Sequence, residues 1–269
     1  VAFAGDVNND TYDDIIVGAE RTDPAGLSNA GSAYVYSGAD GSLLYQKDGG
    51  AGGDYFGHSV SGAGDVDDDG YDDFIVGAYM ADPDGNSAAG SIYVFSGQDG
   101  ALIYKLDGEG AGDRFGSAVS SSGDINNDGY GDFIAGAYFA SPNDNNRAGS
   151  AYVYSGADGS LLYQKDGEVA EDRFGTSVSY SGDVDGDGRD DFIVGAFYTN
   201  PGGRSRAGSV YVYSGADGSL IHRKDGGAPD DALGFSVSYM PDLNSDGSGE
   251  FIAGAYQTNP NGYSDAGTV

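Results

Sequence analysis

The feature that most limits the fold of this chain is an internal repeat of 59 residues. The 269 residues contain five similar segments, which open at Asp6, Asp65, Asp124, Asp183 and Asp242 with no insertion between them. A unit of this length is too short to bury two faces of its own, so neighbouring units must stack against one another. The repeat therefore predicts one array of like units rather than several independent domains.

Each unit contains four short apolar runs separated by turn-forming residues, and the second unit shows the pattern clearly. We predict strands over 56–63, 73–79, 91–96 and 101–106, with an acidic loop between the first two. No segment has a sustained 3.6-residue apolar period, so we expect no helix in any unit.

The third and fourth strands of a unit are separated by an Asp-Gly pair, which predicts a hairpin. In a type I′ turn both central residues need positive φ, and Asp-Gly is a favoured pair for that turn. The pairs are Asp40-Gly41, Asp99-Gly100, Asp158-Gly159 and Asp217-Gly218. We therefore predict type I′ hairpins at these four places.

The second and third strands of a unit are apolar on both faces, as in the segments FIVGA and YVYS. Strands that are buried on both sides have this pattern. Four-stranded antiparallel sheets that lie between two similar neighbours form the blades of a β-propeller. An extended β-solenoid is the rival, but its coils are usually shorter and need no four antiparallel strands. We predict an all-β fold, a β-propeller of four-stranded antiparallel blades.

The chain is expected to be a single propeller domain with incomplete first and last blades. The five units cover approximately 1–55, 56–114, 115–173, 174–232 and 233–269. Val1 aligns within a first strand and Val269 within a third strand, and a cut inside a strand leaves ladder groups unpaired. We therefore expect a longer parent chain with further blades or domains.

The loop between the first and second strands of each unit has the pattern D-x-[DN]-x-D-[GT]-x-x-[DE]. Oxygen-bearing side chains at positions 1, 3, 5 and 9, with Gly at position 6, resemble the start of an EF-hand calcium loop. Oxygen ligands without His or Cys favour Ca²⁺ over zinc or copper, and Mg²⁺ demands stricter octahedral geometry. We predict about one Ca²⁺ per unit and up to five in the chain, with metal binding coupled to folding.

The predicted metal ligands occupy positions 1, 3, 5, 7 and 9 of the five loops, with position 7 contributing its backbone carbonyl. They are Asp6, Asn8, Asp10, Tyr12 and Asp14; Asp65, Asp67, Asp69, Tyr71 and Asp73; Asp124, Asn126, Asp128, Tyr130 and Asp132; Asp183, Asp185, Asp187, Arg189 and Asp191; and Asp242, Asn244, Asp246, Ser248 and Glu250. The alternative for any one loop is a solvated turn without metal. Thr11 departs from the pattern, because it replaces Gly at position 6, where we expect positive φ.

The formal net charge of −31 argues against nucleic acid and anionic membranes as partners, because like charges repel. No apolar run approaches the length of a membrane span, so direct membrane insertion is not expected. Since there are no cysteines, disulfides and thiolate metal sites are excluded.

The repeat resembles the FG-GAP repeat of integrin α-subunit propellers and related bacterial proteins. Its first motif stands as Phe56-Gly57, Phe115-Gly116 and Phe174-Gly175, and has become Leu233-Gly234 in the fifth unit. Its second motif stands as Gly18-Ala19-Glu20, Gly77-Ala78-Tyr79, Gly136-Ala137-Tyr138, Gly195-Ala196-Phe197 and Gly254-Ala255-Tyr256, with Pro replaced in every copy. The resemblance implies that calcium loops lie on one face of the propeller and that ligands bind the opposite face.

The leading functional hypothesis is a calcium-stabilised binding or adhesion module that recognises a protein or a carbohydrate through the face opposite the calcium loops. The loops between second and third strands vary most between units, and such loops on a rigid scaffold often carry recognition. The alternatives are a structural spacer of a large surface protein and a non-catalytic propeller attached to a secreted enzyme.

We do not expect this chain to be catalytic, and we expect it to be extracellular. There are only two histidines and no G-x-S-x-G motif. The expected location, secreted or at the cell surface, follows from the predicted calcium sites and from the resemblance.

Overall fold

The computed structural model describes residues 1–240, 242–243, 249–258 and 267–268. Within these residues the fold is all-β, with four four-stranded antiparallel sheets and one two-stranded sheet. Strands pair in chain order within every sheet, so each sheet is an antiparallel meander made by one unit of the repeat. The prediction of four-stranded antiparallel blades is confirmed.

The sheets of units 1 to 4 each contain four strands, and the sheet of unit 5 contains two in the described residues. Unit 1 comprises β1 (Ala2–Gly5), β2 (Asp14–Ala19), β3 (Ser32–Tyr36) and β4 (Leu43–Asp48). Unit 2 comprises β5 (Ser59–Gly64), β6 (Asp73–Ala78), β7 (Ser91–Phe95) and β8 (Leu102–Asp107). Unit 3 comprises β9 (Ala118–Gly123), β10 (Asp132–Ala137), β11 (Ser150–Tyr154) and β12 (Leu161–Asp166). Unit 4 comprises β13 (Ser177–Gly182), β14 (Asp191–Ala196), β15 (Ser209–Tyr213) and β16 (Leu220–Asp225), and unit 5 comprises β17 (Leu233–Met240) and β18 (Glu250–Ala255).

The expectation of no helix is wrong for one short segment in each of units 1 to 4. Single 3₁₀ turns cover Pro24–Gly26, Pro83–Gly85, Pro142–Asp144 and Pro201–Gly203, in the loop between the second and third strands. Each begins with Pro, whose fixed φ suits a first helical position and whose missing N–H costs nothing there. Three residues are too few to produce a visible period in the sequence.

The first strand of unit 2 begins later than predicted. It starts at Ser59, because Phe56 forms a parallel bridge with Gly31 of the preceding unit instead of joining its own sheet. The same bridge links Gly90 to Phe115 and Gly149 to Phe174. The Phe-Gly motif therefore ties neighbouring blades together.

The predicted hairpins between the third and fourth strands are present, but the predicted type I′ turn is wrong. Gly41 has φ 75°, but Asp40 is absent from the residues with positive φ, and both central residues would need it. The connection is instead a six-residue loop, closed by a hydrogen bond from Ser37 N to Ser42 O. Asp40 stabilises this loop by accepting a hydrogen bond from Ser42 N at 2.8 Å.

The hydrophobic core lies between the blades rather than inside any one of them. Phe74 of unit 2 packs in one cluster with Ile16 and Val35 of unit 1, and Tyr45 stacks on Phe74 with ring centroids 5.9 Å apart. Equivalent clusters join units 2 and 3, units 3 and 4, and units 4 and 5. The strands β6, β10 and β14 are buried along their whole length, as the two-faced apolar pattern predicts.

Two motif glycines allow neighbouring blades to approach this closely. A Cβ built on Gly136 would lie only 2.0 Å from the carbonyl oxygen of Gly175 in the next blade. Gly18, Gly77 and Gly195 meet the next blade's Phe-Gly or Leu-Gly glycine in the same way. The contact is between two backbones, so no side chain fits there.

Hydroxyl groups on the outer strands add a further link between blades. Tyr45 Oη donates to Gly97 O at 2.7 Å, and Tyr104 Oη donates to Gly156 O at 2.8 Å.

Among the described residues, no helix has the length and apolar character needed to cross a membrane.

Candidate metal centre

The acidic loops of units 1 to 4 all connect the first strand of a sheet to the second. They therefore lie together at one end of the sheets. The hairpin loop between the third and fourth strands reaches the same end, while the loop between the second and third strands lies at the other. The expected grouping of the acidic loops at one end of the blades follows directly from this meander.

The first Asp of each loop shapes the turn. Asp65 accepts hydrogen bonds from Asp69 N at 3.1 Å and from Gly70 N at 2.9 Å, one on each carboxylate oxygen. The same pair of bonds forms on Asp6, Asp124 and Asp183. Each carboxylate oxygen has a second lone pair, so these bonds leave capacity for a cation.

In units 1 to 4, two positions of the acidic loop adopt the left-handed conformation. Position 6 has positive φ in all four loops, including Thr11 at 77°, so the expected need for positive φ there is confirmed. Position 4 shares this conformation and is filled by Asn9, Asp68, Asn127 and Gly186. These residue types enter the left-handed region most readily, which was a signal that the sequence analysis missed.

In units 1 to 4 the carboxylate at position 9 is fully buried. Asp73 accepts hydrogen bonds from Val66 N and from Gly97 N, both at 2.8 Å, and its exposure is 0%. Asp14, Asp132 and Asp191 make the equivalent pairs of bonds and are equally buried. This side chain thus joins the acidic loop to the hairpin loop of its own blade.

Three of the predicted ligand side chains converge in each of units 2 and 4. Oxygens of Asp65, Asp67 and Asp73 all lie within 4.8 Å of one another, and the same holds for Asp183, Asp185 and Asp191. In unit 1, position 3 is Asn8, whose Oδ1 is buried without a hydrogen-bond partner among the described residues. A buried oxygen of this kind fits a cation ligand, because an unsatisfied buried acceptor is otherwise costly.

Burial and charge repulsion at these sites disfavour ionised carboxylates when no metal is bound. Burial raises the pKa of Asp73 to about 7, and the nearby charges of Asp67 and Asp69 contribute to this increase. Two backbone hydrogen bonds act in the opposite direction and lower this pKa. Burial likewise raises the pKa of Asp132 and of Asp191 to about 6. A divalent cation would offset both the desolvation and the repulsion.

The hairpin loop supplies groups that the sequence analysis missed. The hydroxyls of Ser37, Ser155 and Ser214 lie 3.4 to 3.5 Å from the carboxylate at position 5 of their own unit. The following glycine donates its N–H to position 9, as described for Gly97. The repeated Ser-Gly pair before each Asp-Gly was the available signal.

Acidic loops of neighbouring blades also contact one another. Asp72, at position 8, accepts a hydrogen bond from Asp6 N of the preceding unit at 2.8 Å. Asp190 accepts the equivalent bond from Asp124 N at 3.0 Å. In unit 3, Gly131 replaces this Asp and donates its N–H to Asp65 O. The loops therefore form a continuous chain of contacts along one end of the blades.

The remaining predicted ligands are described in part. At position 7 the backbone N–H of Tyr12, Tyr71, Tyr130 and Arg189 donates to the carboxylate at position 5. In unit 5, Glu250 accepts a hydrogen bond from Leu243 N at 2.6 Å, the same role that position 9 has elsewhere. Asn244, Asp246 and Ser248 lie outside the described residues.

The donor groups of units 1 to 4 fit a hard cation. They are carboxylate and amide oxygens on a turn whose backbone conformation they themselves fix, and no nitrogen or sulfur ligand is among them. Bound Ca²⁺ would join the acidic loop to the start of the second strand in each blade.

A substitution at one buried predicted ligand tests this assignment. We expect Asp73→Asn to destabilise the calcium-loaded protein by about 2–4 kcal/mol, because it removes a charge from the site and turns one buried acceptor into a donor facing an N–H. The free energy of unfolding from urea titration in calcium buffer measures the effect.

The matched control is Asp68→Asn, at the left-handed position 4 where units 1 and 3 already carry Asn9 and Asn127. It removes the same formal charge from the same loop and should leave stability nearly unchanged. Equal effects of the two substitutions would contradict the assignment of Asp73 as a ligand.

Comparison with known proteins supports these structural features. The family model for the FG-GAP repeat matches residues 1–36, 56–95, 115–154 and 174–213. Each match runs from the first strand of a blade to its third strand and includes the acidic loop.

Several integrin α subunits are similar to the chain. Integrin alpha-5 from Xenopus laevis is 31% identical over 217 residues, which cover 75% of this chain and 20% of that protein. Integrin alpha-PS5 from Drosophila melanogaster is 31% identical over 219 residues, covering 75% of the chain and 20% of the relative. Integrin alpha-8 from Gallus gallus is 29% identical over 213 residues, covering 72% and 19%. The chain thus spans about one fifth of the length of these relatives.

Proposed function

Because this chain belongs to the FG-GAP repeat family, we propose that it is a calcium-stabilised extracellular module that binds or adheres to a protein or carbohydrate ligand. The observation that carries the proposal is that the two ends of the blades hold different kinds of loop. One end holds the acidic loops with their buried carboxylates, and the other end holds the loops that differ between units.

The variable loops are well suited to recognition because their backbones are alike and their side chains are not. In units 2 and 4 these loops contain the 3₁₀ turns Pro83–Gly85 and Pro201–Gly203, and the side chain before each turn accepts a hydrogen bond from the backbone later in the loop. Asp82 Oδ1 accepts from Ala88 N, and Asn200 Oδ1 accepts from Arg206 N, at 2.6 and 2.7 Å. A rigid frame with exchangeable side chains limits the entropy lost on binding.

Calcium has a structural role in this proposal and does not contact the ligand. It would fix the acidic ends of the blades, and the opposite ends would then hold their loops in constant relative positions. The integrin relatives support an adhesive role and a cell-surface or secreted location. A non-enzymatic role accords with the same relatives.

The test exchanges one variable loop for another. Binding of the calcium-loaded protein to arrays of glycans and of extracellular matrix proteins identifies a ligand class. Replacing residues 200–208 with the sequence of 82–90 keeps loop length and backbone, and we expect it to weaken binding by ~10-fold, or about 1.4 kcal/mol. Ala157→Gln, which copies Gln98 into an exposed hairpin at the calcium end, is the matched control.

Two outcomes would contradict the proposal. If no component of either array binds, the chain is better explained as a structural spacer, which the near-identical repeats also favour. If the loop exchange leaves binding intact while the hairpin control abolishes it, the ligand binds the calcium end instead.

A further inference from the structure

Three arginines surround one aromatic ring at the end of the blades opposite the acidic loops. The guanidinium carbons of Arg114, Arg173 and Arg147 lie 4.0, 4.2 and 4.9 Å from the ring centroid of Phe139. We call these four residues the arginine cluster. In a chain with 12 Lys and Arg against 43 Asp and Glu, such a concentration of positive charge is unusual.

The cluster lies at the seam between units 2 and 3. Phe139 follows the C-terminal end of β10, which starts at the acidic loop, so the ring lies at the far end of that strand. Arg114 and Arg173 immediately precede the Phe-Gly motifs of two successive blades, and Arg147 belongs to the variable loop between them. The three side chains come from three separate segments and converge on one point.

The positive charge of the cluster is only partly neutralised. Glu171 accepts hydrogen bonds from Arg173 at 2.9 Å and from Asn146 at 2.8 Å, and Arg147 lies 3.8 Å from it. Arg114 donates to Tyr138 Oη at 2.7 Å and makes no ion pair with any described residue. Two of the three arginines thus share one carboxylate, and the third has none among the described residues.

The cluster differs from the equivalent places in other units. In unit 4, Arg206 occupies the position of Arg147, but it is paired directly with Asp230. In unit 2 the same position is Ala88, and Tyr55 takes the place of Arg114. The arginines are therefore not required by the repeat itself, and the excess charge is specific to this seam.

We infer that the arginine cluster binds carboxylate side chains of an acidic segment in a protein partner. This inference rests on the proposed binding function and names the chemistry of its ligand. Arginine presents a planar fork of donors that matches a carboxylate, and stacking on an aromatic ring pre-orders that fork. The side chain of Arg147 is 47% exposed, so its guanidinium is open to a ligand. The side chain of Arg173 is only 15% exposed and is held in place.

A protein segment fits the cluster better than an acidic polysaccharide does. The ring of Phe139 is surrounded by guanidinium groups, so it is not free to stack against a sugar. Arginine and aromatic residues together are the types that dominate binding energy at protein interfaces.

The charge of the acidic loops does not prevent this interaction. A six-residue strand separates the cluster from the acidic loop of unit 3, a distance of roughly 20 Å. That distance exceeds the Debye length of about 8 Å at physiological salt, so the acidic loops are largely screened from a ligand at the cluster.

The chain itself supplies alanine variants that its backbone tolerates. Arg114 and Arg173 have φ of 60° and 58°, and Ala232 occupies the equivalent position in unit 5 with φ 55°. Arg147 has φ 50°, and Ala88 has 51° at the equivalent position in unit 2. Arg114→Ala, Arg173→Ala and Arg147→Ala should therefore fold normally, which melting temperatures will check.

The probe is a fluorescein-labelled Asp-rich peptide, measured by fluorescence anisotropy against the calcium-loaded full chain. We expect saturable binding that weakens with added NaCl and that weakens by about tenfold when a single cluster arginine becomes alanine. Arg223→Ala, an arginine paired with Asp225 on the outer strand β16, is the control for net charge and should bind as the parent does.

The inference is overturned if the Asp-rich peptide does not bind, or if the same peptide with Asn for Asp binds equally well. It is also overturned if the three variants keep the affinity of the parent, or if oligogalacturonate binds and the peptide does not. These failures are separable from failure of the proposed function. If the loop exchange at 200–208 still weakens adhesion while the peptide does not bind, the inference fails and the binding module stands.

Discussion

Chelation of calcium with EGTA is expected to lower the melting temperature of this protein by about 20 °C, because each bound ion stabilises only the folded chain. At calcium a hundredfold above the dissociation constant, each site contributes about 2.7 kcal/mol, and 1 kcal/mol corresponds to about 2 °C or more in a chain of this size. The four acidic loops of units 1 to 4 therefore account for the expected shift. Thermal melting followed by circular dichroism, with and without EGTA, measures it.

The physical reason for so large an effect lies in the position 9 carboxylates. Asp73 is completely buried, and burial raises its pKa to about 7. Without a cation, the folded state must either bury a charge among other carboxylates or take up a proton, and both alternatives reduce its stability. With Ca²⁺ bound, the same group links two loops of one blade.

Readdition of calcium is the control for chelation, and it should restore the original melting temperature. Adding Mg²⁺ instead should restore much less, because Mg²⁺ sheds water reluctantly and requires stricter geometry. A melting temperature that EGTA leaves unchanged would contradict a structural role for calcium.

Much of the fold could be predicted because a repeat reports the same structural requirement several times. One acidic loop such as 6–14, with Thr11 at position 6, would be weak support for a metal site. Four further copies in register fix the positions of the oxygens, and the structure places Thr11 in the required left-handed conformation. Strand pairing followed from the apolar runs, which are buried on both faces as expected.

What could not be predicted depends on contacts between blades. Phe56 leaves its own sheet because Gly31 of the preceding blade offers a bridge, which no local pattern reveals. Asp40 has no positive φ because the loop closes over six residues and leaves only Gly41 in the left-handed region. The bond from Asp6 N to Asp72 and the arginine cluster around Phe139 likewise join residues of different units.

The inter-blade glycine contact gives a second large effect. We expect Gly136→Ala to destabilise the protein by about 3 kcal/mol or more, because overpacking is most costly where neither side can move. The new Cβ would lie 2.0 Å from Gly175 O and 3.0 Å from Gly175 C, and both are backbone atoms of the next blade. Urea denaturation of the calcium-loaded protein measures the loss.

The control for this substitution is Gly50→Ala, since a Cβ at Gly50 would meet nothing within 4 Å. It makes the same chemical change away from a blade contact and should leave the denaturation midpoint nearly unchanged. Gly136 also accepts hydrogen bonds from Gly116 N at 3.0 Å and Ser117 Oγ at 3.1 Å within its own blade, so a shift of Gly136 away from Gly175 would disturb the segment before β9 as well. If Gly136→Ala were as stable as the parent, the motif glycines would not be needed for close packing of the backbones. Their recurrence in every unit would then require another explanation.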